Sequence, residues 1–214
     1  MGTTVADVMT TRVIAVKRNA DFKQIARLLR QFRVSACPVI NDAGQVVGVV
    51  SEADLLYKTA DCELPAGLIR LRWKLGEESK ITAVTAQQLM TSPAVTIHAD
   101  APVRVAARIM RDRRVKRLPV VDKDGELIGI VTRADVLAVY DRPDADILAE
   151  VMSVLLDEFG LSAANFEATV SSGVVTLTGL IALAETELEI AVRIRHIEGV
   201  VAVRDRLLAG APVD

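Results

Sequence analysis

The sequence predicts a mixed α+β protein in which one folding unit occurs twice and a smaller, different unit follows. Three observations support this prediction: the composition, an internal repeat and a change of pattern near Pro143. Hydrophobic residues make up 51% of the 214 residues but aromatic residues only 3%, so aliphatic side chains build most of the core. This composition is typical of a compact protein rather than of a disordered chain.

The repeat consists of matching residues at a constant offset of 81 positions. Met9-Thr10 recurs as Met90-Thr91. The same offset, without gaps, relates a Pro-Val pair, two glycines, an Ala-Asp pair and a leucine. In the first copy these residues are Pro38, Val39, Gly44, Gly48, Ala53, Asp54 and Leu56. Because this register holds over most of each copy, we treat the repeat as the organising feature of the chain.

Each copy has the pattern of a β-α-β-β-α unit. A short apolar strand, 13–16 or 94–97, precedes an amphipathic helix with apolar residues at i, i+3, i+4 and i+7. These residues are Phe22, Ile25, Ala26 and Leu29 in the first copy and Val103, Ala106, Ala107 and Met110 in the second. A strand through the Pro-Val pair, a turn and another strand follow. The last helix begins at Ser51 or Thr132.

The two copies, 1–60 and 86–142, are separated by a predicted linker at 61–85. Its cations around Trp73 permit two interpretations: a solvated linker with a short helix, or a basic flap that covers a ligand or a partner.

A separate domain with the order α-β-β-α-β is predicted for 145–212, after the boundary at Pro143. Its hairpin turn is Ser172-Gly173. Its second helix, 185–195, has an apolar stripe at helical spacing that includes Leu188, Ala191, Val192 and Arg195.

The signature of each copy resembles the CBS domain: residues 48–55 read GVVSEADL, and residues 129–136 read GIVTRADV. The tail resembles a BON domain through 173–179, GVVTLTG, and the later Gly199-Val200. The resemblance implies that two CBS repeats form one pseudo-twofold module, which pairs into a homodimer. It also implies that the clefts between repeats bind AMP, ADP, ATP or S-adenosylmethionine. BON domains are proposed to bind phospholipid or to mediate protein interactions.

The candidate binding residues begin with Ser51-x-x-Asp54 and Thr132-x-x-Asp135, each of which opens a helix. The hydroxyl and the free backbone N–H groups can hold a phosphate, and the carboxylate can accept hydrogen bonds from a ribose diol. The same spacing is also the capping box, which needs no ligand. Capping and binding can coexist, so both interpretations stay open.

The resemblance places Lys116 and Arg117 near the phosphates, where charge-assisted contacts suit an anion. Arg133, just inside the next helix, is a further source of charge. The alternative is a solvated helix end. The corresponding residues 34–37 lack both cations and Glu52 replaces Arg133, so the two clefts are expected to differ.

Adenine is expected to pack against Thr96-Ile97 or its counterpart Ala15-Val16. The less basic cleft suits S-adenosylmethionine, which needs no phosphate subsite. Occupation of one cleft alone is equally compatible with the asymmetry.

No catalytic constellation is visible, so the sequence predicts a protein that is not an enzyme and has no metal or cofactor besides its ligand. His98 and His196 lie in different domains without metal-ligand spacing, and no phosphate-binding glycine loop occurs. We expect a cytoplasmic protein, because neither a signal peptide nor a run long enough for a membrane span is seen and the two cysteines do not form a disulfide framework.

Charge is distributed unevenly along the chain. Residues 1–142 have 22 basic and 16 acidic residues, whereas 143–214 have 4 basic and 12 acidic, giving net charges of +6 and −8. An acidic BON domain is repelled by anionic phospholipid, so we expect a protein partner for it, such as the basic module of its own chain or of a dimer mate. Higher salt is then expected to loosen the domains. Nucleic acid is not expected as a partner.

Two functions remain in competition. The first is a regulator whose CBS pair binds an adenosyl nucleotide and signals through the BON domain to an unknown protein. The second is a ligand-free dimerisation scaffold whose BON domain binds a protein partner or phospholipid.

Overall fold

The computed structural model describes residues 2–60, 83–181 and 184–209. The predicted linker therefore lies outside the described residues, except for 83–85. Contacts divide the chain into two compact units, one of residues 4–133 and one of residue 134 onward together with the first three residues.

The first repeat follows the predicted β-α-β-β-α order after an opening helix that the sequence did not predict. Its elements are α1 (Val5–Val8), β1 (Val16–Lys17), α2 (Phe22–Phe32), β2 (Ala36–Ile40), β3 (Val46–Ser51) and α3 (Glu52–Ala60). β1 is parallel to β2, and β2 is antiparallel to β3. Helix α2 buries Ile25 and Leu29 in the core of this repeat, as the apolar spacing predicts.

The second repeat has the same topology. Its elements are α4 (Ala86–Leu89), β4 (Ile97–His98), α5 (Val103–Asp112), β5 (Arg117–Val121), β6 (Leu127–Thr132) and α6 (Arg133–Ala138). The first strand of each repeat is shorter than predicted: only its last residue, Val16 or Ile97, begins the observed strand. Residues 13–15 and 94–96 precede the strands because they find no ladder partner on β2 or β5.

The opening helices are exchanged between the repeats. Val5 donates its N–H to the carbonyl of Ala101 at 2.8 Å, and Ala86 donates to the carbonyl of Ala20 at 2.8 Å. Leu89 of α4 is fully buried in the core of the first repeat. Each repeat is therefore completed by a helix from the other, which a local pattern cannot reveal.

The repeated Met-Thr and glycine residues form contacts between the repeats. Thr91 pairs with Val49 of β3, and Thr10 pairs with Ile130 of β6. A Cβ added at Gly48 would lie 2.4 Å from Met90 Sδ, and one at Gly129 would lie 2.5 Å from Met9 Sδ. Glycine is needed at both positions because the methionine of the other repeat occupies the space of a side chain.

The second unit contains the predicted α-β-β-α-β order. Helix α7 (Asp144–Ser153) continues into a π-helical turn (Val154–Glu158), and the remaining elements are β7 (Phe166–Ser171), β8 (Val174–Ile181), α8 (Ala184–Ile194) and β9 (Ala202–Ala209). β7 and β8 are antiparallel, and β9 is parallel to β8. Ser172 and Gly173 both have positive φ, 51° and 72°, as a tight two-residue hairpin turn requires.

The predicted stripe on the second helix is only partly correct. Ala191 is buried, but Leu188 is 70% exposed and Val192 is 45% exposed. The residues that pack into the core are Ile190 and Ile194. Both pairs are spaced four residues apart, so helical periodicity alone could not decide which pair faces the sheet. Arg195 lies just beyond the helix end and is exposed.

Candidate functional site

A cavity of about 440 Å³ in the first unit is lined by residues of both repeats. Its volume lies within the roughly 300–1,000 Å³ common for small-molecule sites. The first repeat contributes the start of β2, the adjacent end of β3 and the start of α3. The second repeat contributes the segment after Met90 and the start of β5. The cavity therefore depends on the packing of the two repeats.

Ser51 and Asp54 form a closed pair of hydrogen bonds on the cavity wall. Asp54 Oδ2 accepts from the backbone N–H of Ser51 at 2.9 Å and from its hydroxyl at 2.7 Å. Asp54 is only 7% exposed. One half of the capping box is thus observed, the Asp54 carboxylate on the Ser51 N–H, and both residues also line the cavity. These two hydrogen bonds hold the Asp54 carboxylate in one place.

Arg117 links the two repeats beside the cavity. Its Nη1 donates to the carbonyl of Ala36 at 2.9 Å, and its Nη2 donates to Ser35 Oγ at 2.5 Å. Burial lowers the pKa of Arg117, while nearby Cys37 and Glu52 act in the opposite direction. The guanidinium carries five N–H donors, of which these bonds use two.

Charges of both signs line the cavity. Among the described residues of the lining, Lys116 and Arg117 are the cations and Glu52 and Asp54 are the carboxylates. Lys116 is exposed, as is Glu52. Sequence reasoning emphasised the cations and treated Glu52 only as a difference between the copies, so this mixed character was missed.

The residues predicted to hold adenine, Thr96-Ile97 or Ala15-Val16, are not among the described residues that line this cavity, so an adenine site on them stays a prediction. Ile97 and Val16 are buried in strands β4 and β1, so their side chains pack into the protein core. Thr96 is half-buried just before β4. Among the described residues that line this cavity are Ala94 and Val95 instead. The reason is the short strand, which leaves these two residues outside the sheet.

Thr132, Arg133 and Asp135 are not among the described residues that line this cavity. Thr132 ends β6 opposite Arg117, and Arg133 Nε donates to the carbonyl of Val115 at 3.2 Å. Asp135 is half-buried in α6. Lys116 and Arg117 thus share a cavity with Ser51 and Asp54 of the other repeat, and a site on Thr132 and Asp135 stays a prediction.

Within the part of the chain that the structure describes, no group of three or more His, Cys, Asp or Glu side chains is arranged to hold a metal ion. The described helices also include none with both the length and the apolar character that membrane crossing requires.

Comparison with protein families confirms both resemblances. The CBS domain family matches residues 5–61 and 86–142, and the BON domain family matches 143–211. An uncharacterized protein of Methanocaldococcus jannaschii is 33% identical over 149 residues, which are 62% of this chain and 88% of that protein. The chain spans about half, 52%, of an uncharacterized protein of Methanopyrus kandleri that is 29% identical over 116 residues.

The chloroplastic CBS domain-containing protein CBSX2 of Arabidopsis thaliana is 34% identical over 149 residues, which are 64% of this chain and 63% of that protein. A crystal structure of CBSX2 in complex with AMP superimposes with a TM-score of 0.57 at 33% identity, covering 64% of this chain and 95% of that one. The CBS domain pair of protein MJ0100, in complex with 5′-methylthioadenosine and S-adenosyl-L-methionine, gives 0.53 at 23% identity, covering 66% and 98%. The mixed α+β fold is thereby confirmed.

Proposed function

Because this chain belongs to the CBS domain family and ends in a BON domain, we propose that it is a non-catalytic regulatory protein whose CBS pair binds an adenosine nucleotide. The observation that carries the proposal is the shared cavity, in which the Ser51–Asp54 pair of one repeat lies with Lys116 and Arg117 of the other. The AMP complex of CBSX2, 33% identical to this chain, supports the choice of ligand.

Each part of the nucleotide has a chemically suitable counterpart on the cavity wall. Ala94 and Val95 offer an apolar surface for adenine. The Asp54 carboxylate, held by its two bonds from Ser51, is suited to accept hydrogen bonds from the ribose hydroxyls. Lys116 and Arg117 supply charge-assisted contacts to the phosphate. A second site on Thr132, Arg133 and Asp135 follows from the 81-residue offset as a further prediction.

Isothermal titration calorimetry of the full chain with AMP and S-adenosylmethionine tests the proposal. We expect AMP to bind, and Lys116→Ala to weaken AMP binding by about tenfold or more, since hydrogen bonds to charged groups contribute roughly 1.5–3 kcal/mol. S-adenosylmethionine has no phosphate, so the substitution should leave its affinity unchanged. Lys123→Ala is the matched control, because Lys123 is an exposed turn lysine away from the cavity lining.

Two results would count against this function. If neither ligand binds the wild-type chain, the scaffold interpretation takes its place. If Lys116→Ala and Lys123→Ala have equal effects on AMP affinity, the nucleotide binds elsewhere.

The proposal extends to a cytoplasmic homodimer formed through the CBS pair, in which the BON domain passes the ligand signal to a protein partner. The net charge of −8 in 143–214 favours a protein over an anionic membrane surface. Co-sedimentation with phosphatidylserine vesicles should leave the protein in the supernatant, and sedimentation with them would overturn this part.

A further inference from the structure

We infer that Glu52 selects against additional phosphates in this cleft, so that the site takes a nucleoside monophosphate in preference to the triphosphate. The inference rests on the proposed nucleotide site and names its substrate class. Three features of the described residues carry it: the position of Glu52, the charges around it and the residue at the equivalent position of the other repeat.

Glu52 lies at a helix start on the wall of the cavity. It is the first residue of α3, directly after Ser51, and it lines the cavity. Its backbone N–H donates to the carbonyl of Ser35 at 3.0 Å, which fixes the start of the helix against β2. A helix N-terminus normally favours anions. The negative charge of a carboxylate at the first helical residue offsets part of the positive potential at the helix N-terminus, and it repels a second anion.

The cations of the cavity are already partly compensated. Burial lowers the pKa of the Arg117 guanidinium, and nearby Cys37 and Glu52 oppose only part of that lowering. Together Glu52 and Asp54 carry as many negative charges as Lys116 and Arg117 carry positive ones. A monophosphate with its charge of about −1.5 to −2 can be placed beside the two cations. A triphosphate brings more negative charge into a cavity whose described lining already includes the Glu52 and Asp54 carboxylates.

The fold does not require a carboxylate at this position. The equivalent residue in the second repeat is Arg133, the first residue of α6. Its backbone N–H donates to the carbonyl of Lys116 at 3.2 Å, just as Glu52 donates to Ser35, the counterpart of Lys116. The same backbone arrangement thus accepts either charge, so Glu52 can be replaced without disturbing the start of the helix.

The test is calorimetric titration of the full chain with AMP and with ATP, both without magnesium so that ATP keeps its full charge. We expect the wild type to bind AMP at least tenfold more tightly than ATP. Glu52→Gln keeps the shape and removes the charge, and it should raise ATP affinity by roughly tenfold, equivalent to about 1.4 kcal/mol, with a smaller gain for AMP. Glu52→Arg should reduce the ratio of AMP affinity to ATP affinity further.

Glu126→Gln is the matched control, because Glu126 is an exposed glutamate just before β6 and is not among the residues that line the cavity. It should leave both affinities unchanged. Equal gains for AMP and ATP in Glu52→Gln, or no gain for ATP, would overturn the inference. A wild-type chain that binds neither nucleotide would instead refute the proposed function, so the two failures are distinguishable.

Discussion

The two CBS repeats share one backbone plan but supply opposite charges to the cavity between them. The first repeat contributes the Glu52 and Asp54 carboxylates to the lining, and the second contributes Lys116 and Arg117. At the positions equivalent to Glu52 and Ser35 the second repeat has Arg133 and Lys116, although Arg133 is not among the described lining residues. The hydrogen bonds at these positions are the same in both repeats. The comparison teaches that these backbone hydrogen bonds do not depend on the side chains at the two positions. Exposed charged side chains can therefore differ between the repeats and make the two sides of the module unequal.

The repeats also differ inside their cores and at their helix caps. Cys37 in β2 corresponds to Leu118 in β5, and both side chains are fully buried. Asp21 caps α2 by accepting from the N–H of Gln24 at 2.8 Å, whereas Pro102 precedes α5 without a side-chain cap. These differences predict distinct responses of the first repeat to substitution and to pH.

The largest expected effect is a loss of stability at alkaline pH that arises in the first repeat. Burial raises the pKa of the Cys37 thiol from 9.0 to about 11, and the nearby Arg117 only partly opposes this. The folded state therefore holds the proton more tightly than the unfolded chain. Stability from this group is complete below pH 9 and is lost as the pH rises through 11, by on the order of 3 kcal/mol.

Urea unfolding of the wild type and of Cys37→Ala between pH 8 and pH 11.5 measures this loss. The variant should start from a lower stability but show a shallower decline, because the buried thiol at position 37 is no longer there to ionise. An equal decline in both proteins would show that other groups control the alkaline response.

The next largest effect concerns the glycines at the contact between repeats. A Cβ at Gly48 would lie 3.0 Å from the carbonyl oxygen of Thr91, whereas one at Gly129 would lie 3.3 Å from that of Thr10. Backbone atoms held in a β-bridge move less readily than a methionine side chain. Gly48→Ala should therefore cost about 1–3 kcal/mol and Gly129→Ala distinctly less, as measured by denaturant unfolding.

The variant Gly48→Ala/Met90→Ala separates the two sources of this cost. Shortening Met90 removes the contact at 2.4 Å but not the one with the Thr91 carbonyl. A thermodynamic cycle should therefore show partial recovery. Equal costs for the two single glycine variants would remove the proposed difference between the repeats.

The smallest effect is expected at the cap of α2. Asp21→Ala should lower the free energy of unfolding by roughly 1 kcal/mol, because the N–H of Gln24 loses its acceptor. Asp21→Asn keeps an acceptor and should cost only a few tenths of that amount. Thermal unfolding of both variants checks this expectation, which fails if alanine and asparagine behave alike.

Much of the fold could be predicted because its signals are local. The recurrence of Met9-Thr10 and Pro38-Val39 at a fixed offset revealed two equivalent units, and Ser172-Gly173 marked a hairpin. The Ser51–Asp54 spacing predicted a pair of residues that do interact. The apolar wall of the cavity was less predictable, because strand length is set by pairing with β2 and β5 rather than by the apolar run itself.

The sequence by itself determined the duplication, because matching residues recur at a constant offset. It also determined the order of elements after each opening helix and the Ser51–Asp54 pair, because these depend on residues close together along the chain. The tertiary structure alone decided that α1 and α4 are exchanged, that Ile190 rather than Leu188 is buried, and that Lys116 lies in one cavity with Ser51. Those outcomes depend on which surfaces meet in space. Periodicity reports that a face is apolar but not which partner covers it.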